Sequence, residues 1–592
     1  MIRDVGFLSW KQESSWMESM KGPRWNSMVK RENSIFKNAL DRVTTEEDLL
    51  QKQNEFKNAT GSMFFTYKNI IIRTINYSEY EWSDGTKKYN VTDLEVSNNY
   101  IYHIRDIGEG SQRYRIECIS DNRVIWHYNN IGSQLYIKDN ICYILGVENK
   151  LWYNSVIALD SKSGKFLKVI YKETDNKYIL RFVKGEGDCL FLIREKSGAA
   201  NLFIIKELNV SMLGDDSIMF YPLGIYKGRV CYFENSGNTW RAVGFECKSF
   251  KNMIDFASLK YGLLILRSYG KKIIYNFKFK KIYSFYGNIY FHPFSYKLEL
   301  SKCFIDFTDG GIVEIRDFKN ICYTAYCKLY NHSCISEDGT RVHYLVLYPD
   351  CKVKGLIVTG YGAYGFPTNV TSRRWKPFLD DGWIVCFTFI RGSGDKDVSW
   401  ALEARTVNKI RSCEDFEACI HDVQKKYNVR ASDTCIYGRS AGGYLVGMAV
   451  SRNPTGKLFR MVYSEVPYVD VLRTTTNRNL PLTALEYDEF GNPARSINEF
   501  KKILEFSPVD SLSYSKPPDL SVLIRTSEND SQVYAYESYK WLEALRGINN
   551  NDYRKILFNS EDSGHFVNGD SSFRSFSEDF FLLNSFRIDA RQ

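Results

Sequence analysis

At 592 residues the chain is longer than a single hydrophobic core commonly supports, so two domains are expected. With 44% hydrophobic and 25% charged residues it reads as a globular protein, which excludes disordered and fibrous classes. The formal charge of +9, from 79 basic and 70 acidic residues, is dispersed along the chain, which argues only weakly for nucleic acid, and no nucleic-acid partner is expected.

The first residues, "MIRDVGFLSWKQESSW", carry Asp4 and lack the apolar core of a secretory signal. No run approaches the roughly 18 apolar residues that span a bilayer. The 14 cysteines occur singly from Cys118 to Cys435, with no C-x-x-C pair for zinc or a redox dithiol. A reducing, cytoplasmic setting is expected, with no membrane partner, metal or organic cofactor.

Up to about residue 60, "PRWNSMVKRENSIFKNALDRVTTEEDLLQKQNEF" places Trp25, Met28, Ile35, Phe36 and Leu40 near helical intervals. This helical segment is too small to be a domain. From 61 to 325 come short Tyr-, Ile- and Val-rich runs such as "NNYIYHIRD", "RYRIECIS" and "QLYIKDNICYILGV", separated by polar turns such as "SKSGK". These are the marks of antiparallel strands. At roughly 40 residues a blade, a β-propeller of about six or seven blades fits, with a sandwich or irregular barrel as the alternative.

Beyond 326 the texture becomes compact apolar runs alternating with helical patterns. "VHYLVLYP", "KGLIVTGYG", "GWIVCFTFIRG", "TCIYGRS", "RMVYSEVP", "LSVLIRT" and "RKILFN" predict the strands of a mostly parallel, doubly wound sheet spanning 326–592.

Within that sheet, "IYGRSAGGYLVGMAV" sets Ser440 between Gly438 and Gly442 and leads into an apolar helical run. A strand, a serine flanked by glycines and a helix predict a nucleophile elbow, with an ordinary glycine turn as the alternative. A serine nucleophile needs a histidine base and an orienting carboxylate, in the chain order serine, acid, histidine. Of seven histidines only His565 follows Ser440, in "NSEDSGHFVNGD" after a strand. Seven aspartates lie between them: Asp470, Asp488, Asp510, Asp519, Asp530, Asp552 and Asp562. Asp530 leaves the carboxyl end of "LSVLIRT", where groups on open parallel sheets gather, so it is preferred over Asp519 and Asp562, which remain open. The backbone N–H of Ala441 is the expected first oxyanion donor, and the loop "GYGAYGFPTN" is the expected source of the second.

These residues resemble the prolyl oligopeptidase family of serine peptidases. "GYGAYG" at 360–365, "DDGWIV" at 380–385, "RGSGDKDVSW" at 391–400, "GRSAGG" at 438–443, "VPYVDVL" at 466–472, "LPLTALEYDEFGNP" at 480–493, "ENDSQV" at 528–533 and "DSGHF" at 562–566 occur in the family's order. The "PLT…GNP" stretch is similar to the oligopeptidase B branch. The resemblance implies an α/β-hydrolase domain preceded by a propeller, with residues 1–60 packing on the hydrolase. It implies a triad of Ser440, Asp530 and His565, and makes Tyr361 the hydroxyl donor of the oxyanion hole beside Ala441. It also implies that Glu486 and Asp488 hold an Arg or Lys at P1, a solvated helix face being the plainer reading of both. Asn369 and Thr371 stand where aspartates favouring a basic P2 residue would align, so no dibasic preference is expected.

The expected activity is cleavage of short peptides after Arg or Lys, with a propeller excluding folded proteins. Glu465 and "ENDSQV" are similar to the prolyl endopeptidase-like branch, for which an esterase or thioesterase on the same triad is the alternative. A non-catalytic interaction protein is the third reading.

Overall fold

The computed structural model describes residues 2–589 apart from short stretches, the longest being 251–255, 292–296, 317–326, 513–519 and 549–554. Two compact units divide the chain: Met1–Thr60 with Tyr323–Asp395 and Trp400–Gln592, and Gly61–Cys322 with Lys396–Ser399.

The second unit is a succession of antiparallel meanders, from the sheet opening at Phe64–Tyr67 to the sheet closing at Gly311–Arg316. Most are four-stranded, and in each the spatial order follows the sequence order. Tight turns set the registers. Between Lys138 and Ile141, both Asp139 and Asn140 take positive φ, of 49° and 64°. That is the twist a two-residue hairpin loop needs, and Asp and Asn tolerate it. Successive sheets bury shared apolar faces, as where Val156 and Ala158 cluster with Leu180, Phe182, Leu190 and Leu192.

One sheet has seven strands because Arg123–Lys138 runs unbroken through two of the meanders. Its first half pairs with Tyr114–Ser120 and its second half with Ile141–Glu148, the pairing changing over at Ile131. The repeated four-stranded meander, with neighbouring sheets sharing apolar faces, is that of a β-propeller.

The first unit holds one eight-stranded sheet. Its strands are β1 (Cys327–Ile335), β2 (Arg341–Pro349), β3 (Gly355–Thr359), β4 (Trp383–Phe389), β5 (Thr434–Arg439), β6 (Met461–Glu465), β7 (Ser521–Ser527) and β8 (Ile556–Glu561). They lie in the order β1-β2-β4-β3-β5-β6-β7-β8, parallel from β4 to β8 and antiparallel at β1 and β2. Every residue of β3, β4, β6 and β7 is buried, as strands covered on both faces require. This is the α/β-hydrolase architecture.

The strand β1 is absent from the pattern-based expectation. It lies at the sheet edge, and "YNHS" at its centre is partly or fully exposed. Such a strand shows no apolar run.

At the amino terminus a short hairpin, Ile2–Asp4 with Ser9–Lys11, and a 3₁₀ turn at Glu13–Ser19 precede the helices, where helical pattern alone was expected. Helix α1 (Pro23–Val43) begins with proline, whose missing N–H costs nothing at that position. It buries Trp25, Met28, Phe36 and Leu40. Its Glu32 pairs with Arg546 at 2.6 Å. Its Asn33 side chain donates to the Ser560 carbonyl at 2.9 Å and accepts the Ser560 N–H at 2.8 Å, on β8. Among the described residues no helix is long and apolar enough to cross a membrane.

Candidate active site

β5 delivers Ser440 directly onto α2 (Ala441–Arg452). Ser440 has φ 56° and ψ −121°, a backbone that costs of order 1–3 kcal/mol for a residue with a Cβ. Main-chain bonds hold it there. Its N–H donates to the Glu465 carbonyl at 3.0 Å, and its carbonyl accepts from Gly443 at 2.8 Å and Tyr468 at 3.1 Å. The strand and helix approach so closely that a Cβ on Gly438 would lie 2.0 Å from the Gly442 carbonyl oxygen, and one on Gly443 would lie 2.5 Å from Pro467 Cα. The glycines are therefore demanded by the approach of the backbones.

Ala441 opens α2, so its N–H belongs to the first turn, whose donors a helix cannot use internally. The Tyr361 side chain, from the loop that follows β3, lies close to the Ser440 side chain. Burial first, then the carboxylates of Glu486 and Glu489, pushes this phenol well above its usual range, so it keeps the proton it has to donate.

Asp530 follows β7 and is almost wholly buried, as is His565. Its Oδ1 accepts the N–H groups of Gln532 at 2.8 Å and Val533 at 2.9 Å. Its Oδ2 stands 2.6 Å from His565 Nδ1. Asp562 is exposed and accepts from the Asn529 side chain at 2.7 Å. Asp519 and Asp552 lie outside the described residues.

Glu486 and Asp488 share helix α3 (Thr483–Phe490). Glu486 is buried and accepts from the Tyr364 hydroxyl at 2.8 Å, which brings it to the loop that carries Tyr361. Asp488 is half-buried and leaves the helix about 200° round from Glu486. The two carboxylates therefore do not converge. Glu489, also buried, is neutralised by Lys409 at 2.5 Å and Arg405 at 3.0 Å. Among the described residues no cation pairs with Glu486, and burial first, with Glu489 and Glu537 adding, raises its carboxyl to about 8. Asn369 is exposed, and Thr371 lies outside the described residues.

Pattern reading gave no part to Tyr364, the partner of Glu486, or to Lys409 and Arg405, the partners of Glu489. Tyr364 lies inside the quoted motif at 360–365, so position alone could have flagged it. Lys409 and Arg405 come from a segment with no motif. Among the described residues no group of three or more His, Cys, Asp or Glu side chains is disposed to hold a metal ion.

The sheet carries a strained serine between β5 and α2 and an Asp–His pair after β7 and β8, the arrangement expected of a serine-class α/β-hydrolase site. Residues 369–582 match the model of the prolyl oligopeptidase family. Over 216 residues the chain is 34% identical to prolyl endopeptidase-like of Rattus norvegicus, covering 36% of this chain and 29% of that protein. It is 30% identical over 212 residues to protease 2 of Moraxella lacunata, covering 36% and 30%. The match thus spans less than a third of the length of these relatives. In fold the likeness extends much further. Oligopeptidase B from Leishmania major has a TM-score of 0.75 at 16% identity, over 98% of this chain and 95% of that one. Oligopeptidase B from Trypanosoma brucei, with covalently bound antipain, gives 0.77 at 16%, again over 98% and 95%.

Proposed function

We propose that the chain is a serine oligopeptidase that cleaves short peptides after Arg or Lys. Ser440 Oγ attacks the scissile carbonyl carbon while His565 takes its proton and then passes it to the leaving amine. Asp530 holds the imidazole in the tautomer with its proton on Nδ1 and stabilises the imidazolium that forms. The Ala441 N–H and Tyr361 hydroxyl receive the oxyanion. Water then hydrolyses the acyl-enzyme by the same route reversed.

The observation that carries the P1 assignment is Glu486: a buried carboxyl beside the oxyanion loop, with a tyrosine hydroxyl for partner and no paired cation among the described residues. An arginine side chain would supply the missing charge through its planar fork, and lysine would supply it as a point. Asp488, on another face of α3, is assigned the lesser part.

Titration gives a sharp test. Below about 8 the Glu486 carboxyl holds a proton that a bound cation must displace. The ratio of kcat/KM for an Arg substrate to that for a neutral one cancels every ionisation the two share. That ratio should fall about tenfold per pH unit below the Glu486 midpoint and level off above it. Glu486→Gln should flatten the profile and weaken Arg and Lys substrates by about 1 to 3 kcal/mol while sparing a small neutral ester. A basic P2 residue should add little. Equal losses across Arg, Lys, Ala and Phe at P1 would make Glu486 structural, and ester turnover without any amide cleavage would replace the peptidase reading with an esterase.

Tyr361→Phe should lower turnover about a hundred- to thousand-fold on ester and amide alike, because it removes one oxyanion donor from a site common to both. An unchanged rate would retire Tyr361 from that part.

A further inference from the structure

Arg439 immediately precedes Ser440, and its side chain turns toward the loop of His565. Its guanidinium donates to the His565 main-chain carbonyl. It also lies 3.7 Å from a Glu465 carboxylate oxygen and 5.2 Å from the centroid of the Phe566 ring. Glu465 is itself fixed, by two hydrogen bonds from Arg374 at 3.1 and 3.2 Å and one from the Tyr437 hydroxyl at 2.7 Å. The same Glu465 gives its carbonyl to the Ser440 N–H. One anchored residue therefore supports both the elbow and the arginine.

Asp530 binds His565 through Nδ1 alone, which fixes the tautomer and the tilt of the ring. It does not fix the main chain of the segment between β8 and the carboxyl-terminal helix Asp570–Asp589, on which the distance from Nε2 to Ser440 Oγ depends. We propose that Arg439 is a positioning residue that ties the His565 backbone to the elbow and so keeps base and nucleophile in register. The proposal rests on the triad reading above. A misplacement of about 1 Å at such a site can cost on the order of a hundredfold in rate.

The test compares wild type, Arg439→Ala and Arg439→Lys on a neutral ester and an arginyl amide, with fluorophosphonate labelling rates and Tm. Arg439 is partly exposed, so the alanine variant should keep its Tm to within about 2 °C. Its kcat should fall about ten- to hundredfold on both substrates, with KM nearly unchanged and labelling slowed by the same factor. Millimolar methylguanidinium should restore part of that kcat and leave wild type unaffected. Lysine, which keeps the charge and loses the fork, should fall between.

An alanine variant within about twofold of wild type would overturn the proposal. So would a KM change confined to the arginyl substrate, which would place Arg439 on the substrate, or a rate loss with lowered Tm that methylguanidinium does not reverse. A wild type no more active than Ser440→Ala would overturn the triad reading and this proposal together, whereas an active wild type with an indifferent Arg439 removes the positioning role alone.

Discussion

Ser440→Ala should abolish hydrolysis of every substrate, by up to about a million-fold in turnover, and should leave the fold intact. The two halves of that expectation have separate causes. Loss of catalysis is expected because the proposed mechanism makes the Ser440 hydroxyl the atom that forms the acyl bond. The fold is kept because the strained backbone at φ 56° is held by main-chain bonds to Glu465, Gly443 and Tyr468, none of which uses the hydroxyl. Alanine carries the same Cβ into the same conformation, and Ser440 is only half-buried, so no core cavity opens. Fluorophosphonate labelling and thermal unfolding read the two halves independently. Undiminished labelling would mean that another residue is the nucleophile.

Asp530→Asn should cost about ten-thousand-fold, and the pattern of bonds around the carboxylate says why. Oδ1 accepts two backbone N–H groups, from Gln532 and Val533, so an asparagine must put its carbonyl oxygen there. Its NH₂ is then aimed at His565 Nδ1, where Oδ2 stood at 2.6 Å. A donor in that place forces the imidazole proton onto Nε2, and the nitrogen meant to take the serine proton is already occupied. Asp562→Asn, which alters only an exposed contact to Asn529, should change turnover little. A larger loss at 562 than at 530 would move the acid.

The features most legible in the sequence are those where only one residue type is sterically possible. Gly438 and Gly442 mark the elbow because a Cβ on the first would lie 2.0 Å and one on the second 2.9 Å from a main-chain oxygen, and the buried parallel strands announce themselves as unbroken apolar runs. The orienting acid was legible only as a preference: several aspartates satisfy the chain order, and which of them meets His565 is a fact of three dimensions. The same limit applies on α3, where Glu486 and Asp488 are close in sequence and far apart in direction. Edge strand β1 was hidden by its exposed polar centre, and the continuous strand Arg123–Lys138 by the expectation of short runs separated by polar turns. Charged partners inside a fold, such as Arg374 with Glu465 or Lys409 with Glu489, leave no periodic trace at all, since their pairing is set by tertiary approach.

The clasp between Asn33 and Ser560 has a bearing on how the chain is made. Its two bonds join positions 527 residues apart, so α1 leaves the ribosome with its partner strand still to be synthesised. At ordinary elongation speed that delay is on the order of a minute. Throughout it the apolar face of Trp25, Met28, Phe36 and Leu40 lacks β8 and the carboxyl-terminal helix against which α1 packs, while the intervening meanders, whose contacts are local, can already close. The hydrolase is therefore the late-folding part of a chain whose middle is finished first, and its nascent amino terminus is the natural client for a chaperone that shields hydrophobic surface.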